Sequence, residues 1–232
     1  MLDIKELHTS IDKAFVSTLP RFVFEGKIVV VQSSLEIQKA VDAIYKSTRI
    51  VGIDTETRPA FKKGVRHKVA LLQVSTDEIC FLFRLSMTGL TPELVRLLED
   101  QNILKVGLSL NDDIPLLKER QNFTPNGFVD LQPYVKEMGI TDMSLRKLYA
   151  NVFHKKISKT AQCSNWESDI LSPSQKAYAA TDAYACLHLF QELSKLRETG
   201  EYIIIESENR QDNNQNENKK HSAETREDRK PS

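Results

Sequence analysis

A short connection between two strand-like segments most constrains how this chain can fold. The segments are "VALLQVS" (69–75) and "ICFLFRL" (79–85), rich in β-branched and aromatic residues, with only the turn-like "TDE" at their junction. Two such runs joined by so short a turn predict a β-hairpin, so two neighbouring strands are antiparallel. The segment just before them, "RIVGIDTET" (49–57), also reads as a strand.

Helical and strand-like segments surround the hairpin. Further strands are predicted over "KIVVVQ" (27–32) and "ILKVGLS" (103–109). Helices are predicted over 35–47, 92–100, 111–120, 144–153 and 173–198, with an amphipathic first helix over 2–15. A turn followed by a short helix that ends at Gly139 is predicted within 124–139. Ser33 with Glu36 has capping-box spacing, Asn111 or Asp112 is the expected cap of the 111–120 helix, and Ser172 or Ser174 that of the last. This order predicts an α/β domain, with a mixed β-sheet flanked by α-helices.

Two carboxylates stand one residue apart in the "VGIDTET" strand. Successive side chains of a strand point to opposite faces, so Asp54 and Glu56 share a face while Thr55 lies on the other. Like charges at that distance raise the pKa of at least one group unless a cation lies between them. Solvent-facing acids are the ordinary explanation of a lone D-x-E, so other parts of the chain must show whether these two acids bind a cation.

Further acidic residues lie on two predicted helices. Tyr178 and Asp182 are four residues apart in "YAATD" and therefore share a helix face, and Asp112 with Asp113 opens the helix after a strand. Carboxylates from three elements could bind a pair of Mg²⁺ or Mn²⁺ ions, which prefer oxygen ligands. Two such ions about 4 Å apart can hold the attacking and leaving oxygens of a phosphoryl displacement.

The charge balance and the cysteines bound the functional class. Lys plus Arg and Asp plus Glu both total 32, so a basic surface is not expected to hold nucleic acid by itself. The three cysteines form no C-x-x-C pair, which favours a reducing compartment. No apolar run is long enough to span a bilayer, and the first residues lack the apolar region of a secretory signal. A cytosolic (cytoplasmic) protein with no membrane contact is therefore predicted.

Taken together, the motifs resemble those of the DEDD superfamily of 3′-5′ exonucleases. "VGIDTET", "KVGLSLNDDIPLL" and "YAATDAYACLHLF" are similar to its three motifs, and "VALLQVS", "FVDL" and "SNWESDILSPSQKAYAATDA" resemble the ribonuclease D and Werner-type branch. The histidine subclass has its base at the position of Ala177, so Tyr178 indicates the tyrosine subclass (DEDDy). The resemblance covers roughly residues 27–196 and implies a ribonuclease-H-like fold.

The resemblance also implies roles for the acidic residues. Asp54, Glu56 and Asp182 would bind the catalytic metal, with Asp54 bridging to a second ion that Asp113 holds. Tyr178, with Glu56, would orient the attacking water, since a phenol with a pKa of about 10 is a poor base and the metal lowers the pKa of the water. Asp112 is a lesser candidate for the position of Asp113, because this motif has two adjacent acids where the family usually has one.

Substrate contacts are predicted more broadly. Arg66 and Lys68, in the basic stretch "FKKGVRHK", are candidates for phosphate binding, and Thr55 is a candidate substrate-binding residue. A solvated basic loop is the alternative for Arg66 and Lys68. "HKKISK" (154–159) offers further cations with the same alternative.

The predicted function is removal of nucleoside 5′-monophosphates from the 3′ end of single-stranded or 3′-recessed DNA or RNA. Two alternatives stay open: a nucleic-acid-binding or scaffold protein that has lost turnover, and an oligoribonuclease-like enzyme that degrades short products. The predicted division is a helical extension (1–26), a stand-alone exonuclease domain (27–205) and a disordered polar tail (206–232), whose composition cannot bury enough apolar surface to fold.

Overall fold

A six-stranded mixed sheet forms the centre of the molecule. The structure is a computed structural model that describes residues 4–62 and 64–207. The strands are β1 (Lys5–His8), β2 (Lys27–Val31), β3 (Ile50–Thr57), β4 (Val69–Ser75), β5 (Ile79–Phe83), β6 (Leu104–Gly107), β7 (Phe128–Asp130) and β8 (Tyr202–Ile205). The order in the central sheet is β2-β5-β4-β3-β6-β7, and only β4 runs antiparallel to its neighbours. The predicted hairpin, β4–β5, is confirmed.

Helices cover both faces of this sheet, as predicted. They are α1 (Lys13–Thr18), α2 (Ser34–Ser47), α3 (Leu85–Thr88), α4 (Pro92–Glu99), α5 (Leu110–Lys118), α6 (Leu131–Glu137), α7 (Leu145–Phe153) and α8 (Pro173–Thr199). Helices α2, α4 and α5 share one apolar core with the sheet, and α6, α7 and α8 pack on the opposite face. The predicted capping box at Ser33 starts α2. Of the two predicted caps of α8, Ser172 is the cap, and it forms a capping box with Gln175.

Helix α8 lies unusually close to the central strand β3. A Cβ atom at Gly52 would meet the Ala183 carbonyl oxygen at 1.9 Å, so only glycine permits this approach. Because Ala183 follows Asp182 directly, the contact fixes the height of Asp182 beside the end of β3. The fold thereby brings the first and last acidic motifs together.

The predicted helix over residues 2–15 is wrong. The described part of this segment forms strand β1 and then the short helix α1, which Asp12 caps. β1 pairs in parallel with β8, and its residue Leu7 is completely buried. Phe15, an apolar residue of the expected helix face, is 44% exposed instead. Pairing with a strand about 200 residues away overrides the local helical period.

Two smaller expectations also differ from the structure. The cap of α5 is Ser109, in a left-handed conformation (φ 61°), and neither Asn111 nor Asp112. Strands β7 and β8 and helix α3 were not predicted, because they are short and lack a clear period. The division at residues 26 and 205 stays a prediction, and most of the predicted tail (208–232) lies outside the described residues.

Candidate active site

Three carboxylates meet where β3 ends beneath α8. Asp54, Glu56 and Asp182 each offer an oxygen atom, and these oxygen atoms all lie within 4.8 Å of one another. Asp54 and Glu56 point to the same side of β3, as the strand period predicts. Thr55 points away from them, and its hydroxyl donates a 2.6 Å hydrogen bond to Oδ1 of Asp113. The fourth predicted acid, Asp113, is not one of the three that share this spacing, and it joins the site through Thr55.

Burial and mutual repulsion raise the pKa values of these carboxyl groups. Burial, then Asp182 and Asp113, raise the pKa of Asp54 well above its ordinary value. Burial, then Asp54 and Asp182, raise the pKa of Glu56 to about 10. Burial raises the pKa of Asp182 as well, against a lowering effect of Tyr178 and Arg146. In the absence of a cation, the site holds protons that ordinary carboxyl groups release at neutral pH.

The donor set fits a hard divalent cation. Glu56 and Asp182 are each only 8% exposed, and Oδ1 of Asp182 has no hydrogen-bond partner among residues 4–62 and 64–207. A buried carboxylate oxygen left unpaired is costly, whereas a cation bound by it and its two neighbours would compensate the charge. Carboxylate oxygens are the ligands that Mg²⁺ and Mn²⁺ prefer.

Asp130 fixes the place where α5 begins. Its carboxylate accepts hydrogen bonds from the backbone N–H groups of Ser109 (3.1 Å) and Leu110 (2.9 Å), and it also caps α6 through the N–H of Gln132. Asp113 is then held in the first turn of α5, where burial raises its pKa to about 6 while the hydrogen bond from Thr55 opposes the rise. Asp112 is exposed. The geometry thus favours Asp113 over Asp112 as the fourth acid.

Tyr178 lies one helical turn before Asp182 and borders the same cleft. Burial, then the charges of Asp182 and Glu56, raise the pKa of Tyr178 far above its ordinary value. Without a bound cation, the phenol therefore keeps its proton at neutral pH. The ring centroids of Trp166 and Tyr178 lie 6.1 Å apart, and Trp166 is fully buried. The only tryptophan therefore packs beside Tyr178 and offers no exposed face for stacking on a nucleobase.

The cleft over the acids has a volume of about 390 Å³. The basic side chains that line it are not the predicted ones, Arg66 and Lys68. Arg146 and Lys159 line it, and Nε of Arg146 donates to the Ile157 carbonyl at 2.8 Å. Arg66 instead lies 3.6 Å from Glu119, and neither it nor Lys68 lines the cleft. Lys159 belongs to the second basic stretch noted in the sequence, whereas nothing in the sequence around Arg146 signals more than a helix.

Comparison with known proteins decides the family. A sequence profile of the 3′-5′ exonuclease family matches residues 28–198, most of the chain. This chain belongs to the 3′-5′ exonuclease family. The predicted membership of the DEDD superfamily and its α/β, ribonuclease-H-like fold are confirmed.

Individual relatives agree with this family. The bifunctional 3′-5′ exonuclease/ATP-dependent helicase WRN of Mus musculus is 32% identical over 196 residues, which are 81% of this chain and 14% of the mouse protein. A 3′-5′ exonuclease of Arabidopsis thaliana is 30% identical over 192 residues, 76% of this chain and 67% of that protein. This exonuclease-family chain therefore spans only a small part of the mouse relative.

A solved structure shares the fold. Escherichia coli RNase D, an exoribonuclease involved in structured RNA processing, superposes with a TM-score of 0.66 at 17% identity, covering 75% of this chain and 46% of that one. At that identity, the likeness concerns the fold alone. Among the described residues, no helix has both the length and the apolar character required to cross a membrane.

Proposed function

We propose that this chain is a DEDDy-type 3′-5′ exonuclease that hydrolyses nucleic acid from its 3′ end to nucleoside 5′-monophosphates with two divalent cations, Mg²⁺ or Mn²⁺. The observation that carries the proposal is the gathering of Asp54, Glu56 and Asp182 within 4.8 Å, with Asp113 joined to the same strand through Thr55. Family membership supports the reaction class.

The four acids would bind the two divalent cations. Asp54, Glu56 and Asp182 would hold one ion. Asp113, whose charge acts on Asp54, would hold the second ion together with Asp54. Bound ions of this kind polarise the phosphate and favour a nucleophilic hydroxide at neutral pH. The role of Thr55 in this arrangement is to orient the Asp113 carboxylate, since its hydroxyl is already engaged there.

Tyr178 and Glu56 would position the attacking water. The protonated phenol can hydrogen-bond to the water oxygen but cannot remove a proton, because its pKa lies far above neutrality. The Glu56 carboxylate can accept a hydrogen bond from the same water. Two such contacts fix the direction of attack, which is a contribution from orientation and not from basicity.

The basic side chains of the cleft would hold the phosphate backbone of the substrate. Arg146 and Lys159 line the cleft on the side of α7 and the loop that follows it. Arginine and lysine supply most contacts to phosphate oxygens, and such contacts position the strand without reading its sequence. The proposed substrate is thus single-stranded or 3′-recessed DNA or RNA.

A gel assay tests this function. The protein is incubated with 5′-labelled single-stranded DNA, single-stranded RNA, recessed duplex or dinucleotide, with Mg²⁺, Mn²⁺ or chelator. We expect a metal-dependent ladder that shortens from the 3′ end. Cleavage confined to the dinucleotide would instead favour degradation of short products, and folded protein that cleaves nothing would favour a binding or scaffold role.

The adjacent acids of α5 supply a matched pair of variants. Asp113→Asn should lower kcat/KM roughly 10–100-fold, because the hydrogen bond from Thr55 and the ligand to the second ion are both weakened. Asp112→Asn should stay within about twofold, because its side chain is exposed. Both rates are measured on the best substrate of the gel assay. Equal losses in the two variants would contradict the assignment of Asp113.

A further inference from the structure

Gln73 is a buried polar residue that the site described above leaves without a role. It lies in the middle of β4 with none of its surface exposed. Neither Nε2 nor Oε1 of its amide has a hydrogen-bond partner in the part of the chain that the structure describes. An amide buried in this way destabilises a fold, and such groups in native proteins call for a specific explanation.

The position of Gln73 in the sheet supplies that explanation. The β3–β4 register places it directly opposite Asp54. Residues opposed in an antiparallel pair project from the same face with their Cβ atoms about 4.5–5.5 Å apart. Gln73 therefore projects toward α8 beside Asp54, and its amide lies at the end of a side chain long enough to reach that carboxylate.

The other neighbours of Gln73 on this face do not need its amide. Leu82 lies opposite it on β5, and Leu71 precedes it on the same face of β4. The hydroxyl of Ser75 already donates to the Thr76 carbonyl at 3.0 Å. Asp54 is different, because among the described residues only its Oδ1 has a backbone donor, the N–H of Thr55 at 2.9 Å. The second oxygen of Asp54 is thus the acceptor that the amide can serve.

We propose that Gln73 is a positioning residue for Asp54: its side-chain N–H donates to the Asp54 carboxylate and fixes the orientation in which that carboxylate binds a divalent cation. The inference rests on the proposed metal site. The bond belongs to the cation-bound protein, because without a cation the Gln73 amide has no hydrogen-bond partner among the described residues. Donors behind a metal ligand orient it, and their loss typically lowers metal affinity about 10–100-fold.

The test separates metal binding from folding. Gln73→Met keeps the length of the side chain and removes the amide. We expect the Mn²⁺ dissociation constant, measured by isothermal titration, to rise about 10–100-fold. The Tm in chelator should stay unchanged or rise, because an unpaired buried amide has been replaced by an apolar group. At saturating Mn²⁺ the rate of the variant should approach that of the wild type. The Mn²⁺ concentration at half-maximal rate should therefore change more than the maximal rate.

Ser75→Ala is the matched control, since Ser75 is equally buried on the same face of the same strand. It should leave the Mn²⁺ dissociation constant within about twofold of the wild type. A Gln73→Met protein with a lower Tm and wild-type Mn²⁺ affinity would show a packing role and overturn this inference alone. A wild-type protein that binds no Mn²⁺ would overturn the metal site together with it.

Discussion

Asp54→Asn is expected to lower kcat/KM at least about 10³-fold, or ~4 kcal/mol of transition-state stabilisation. Asp54 is the proposed ligand shared by both cations, and an amide oxygen is a weak substitute for a carboxylate. The variant keeps an oxygen that can accept the Thr55 N–H, so the fold should persist. The gel assay measures the rate, with Asp112→Asn as the control that removes an exposed charge nearby. A rate within tenfold of the wild type would contradict the assignment.

The same variant should be more stable than the wild type in chelator. Burial and neighbouring charges raise the pKa of Asp54 in the folded state, whereas its carboxyl has a pKa of about 3.9 in the unfolded chain. Unfolding above that pH releases a proton, so the stabilising contribution of this group is present below pH ~4 and is lost as the pH rises. Asn carries no such proton and also relieves repulsion on Glu56 and Asp182.

Thermal melts in chelator at pH 4 and pH 8 check this sign. The difference in Tm between Asp54→Asn and the wild type should be small at pH 4 and positive at pH 8, at roughly 2–4 °C for each kcal/mol in a chain of this size. Mg²⁺ at pH 8 should raise the Tm of the wild type and leave that of the variant nearly unchanged. A variant that melts below the wild type at pH 8 in chelator would show that Asp54 supports the fold itself.

Tyr178→Phe is expected to lower kcat roughly 10²–10³-fold while leaving Mn²⁺ affinity within a few-fold of the wild type. The substitution removes one hydroxyl and keeps the ring that packs near Trp166. Because the phenol stays protonated, the loss should be nearly independent of pH between about 6 and 9, unlike the loss of a titrating base.

Tyr184→Phe is the matched control for this experiment. Tyr184 lies on the same helix and is partly buried. Its ring stacks on Phe22 and lies tilted against Phe24, and it does not line the cleft over the acids. Removing its hydroxyl should change kcat less than about threefold. A steep pH dependence of the Tyr178→Phe effect would identify the phenol as a proton acceptor, and loss of Mn²⁺ binding would show that it maintains the metal site.

Local rules were enough for the central elements of the fold and for the first and last acidic motifs. The strand period places Asp54 and Glu56 on one face, and the helix period places Tyr178 and Asp182 on another, because both periods depend only on backbone geometry. The capping box at Ser33 depends on residues three positions apart and was predicted in the same way, whereas the structure chose Ser172 over Ser174 as the cap of α8.

The sequence by itself thus determined most of the central elements and the acids that three of them present, whereas the tertiary structure decided how these elements meet. The 1.9 Å distance that forbids a side chain at Gly52 sets α8 against β3, and the Thr55 hydroxyl donates to Asp113 while Asp112 is exposed. The pairing of β1 with β8 turned an expected helix into a strand, and the packing of α7 placed Arg146 in the cleft. Each of these outcomes depends on contacts between residues far apart in the chain, and a local periodicity carries no information about such contacts.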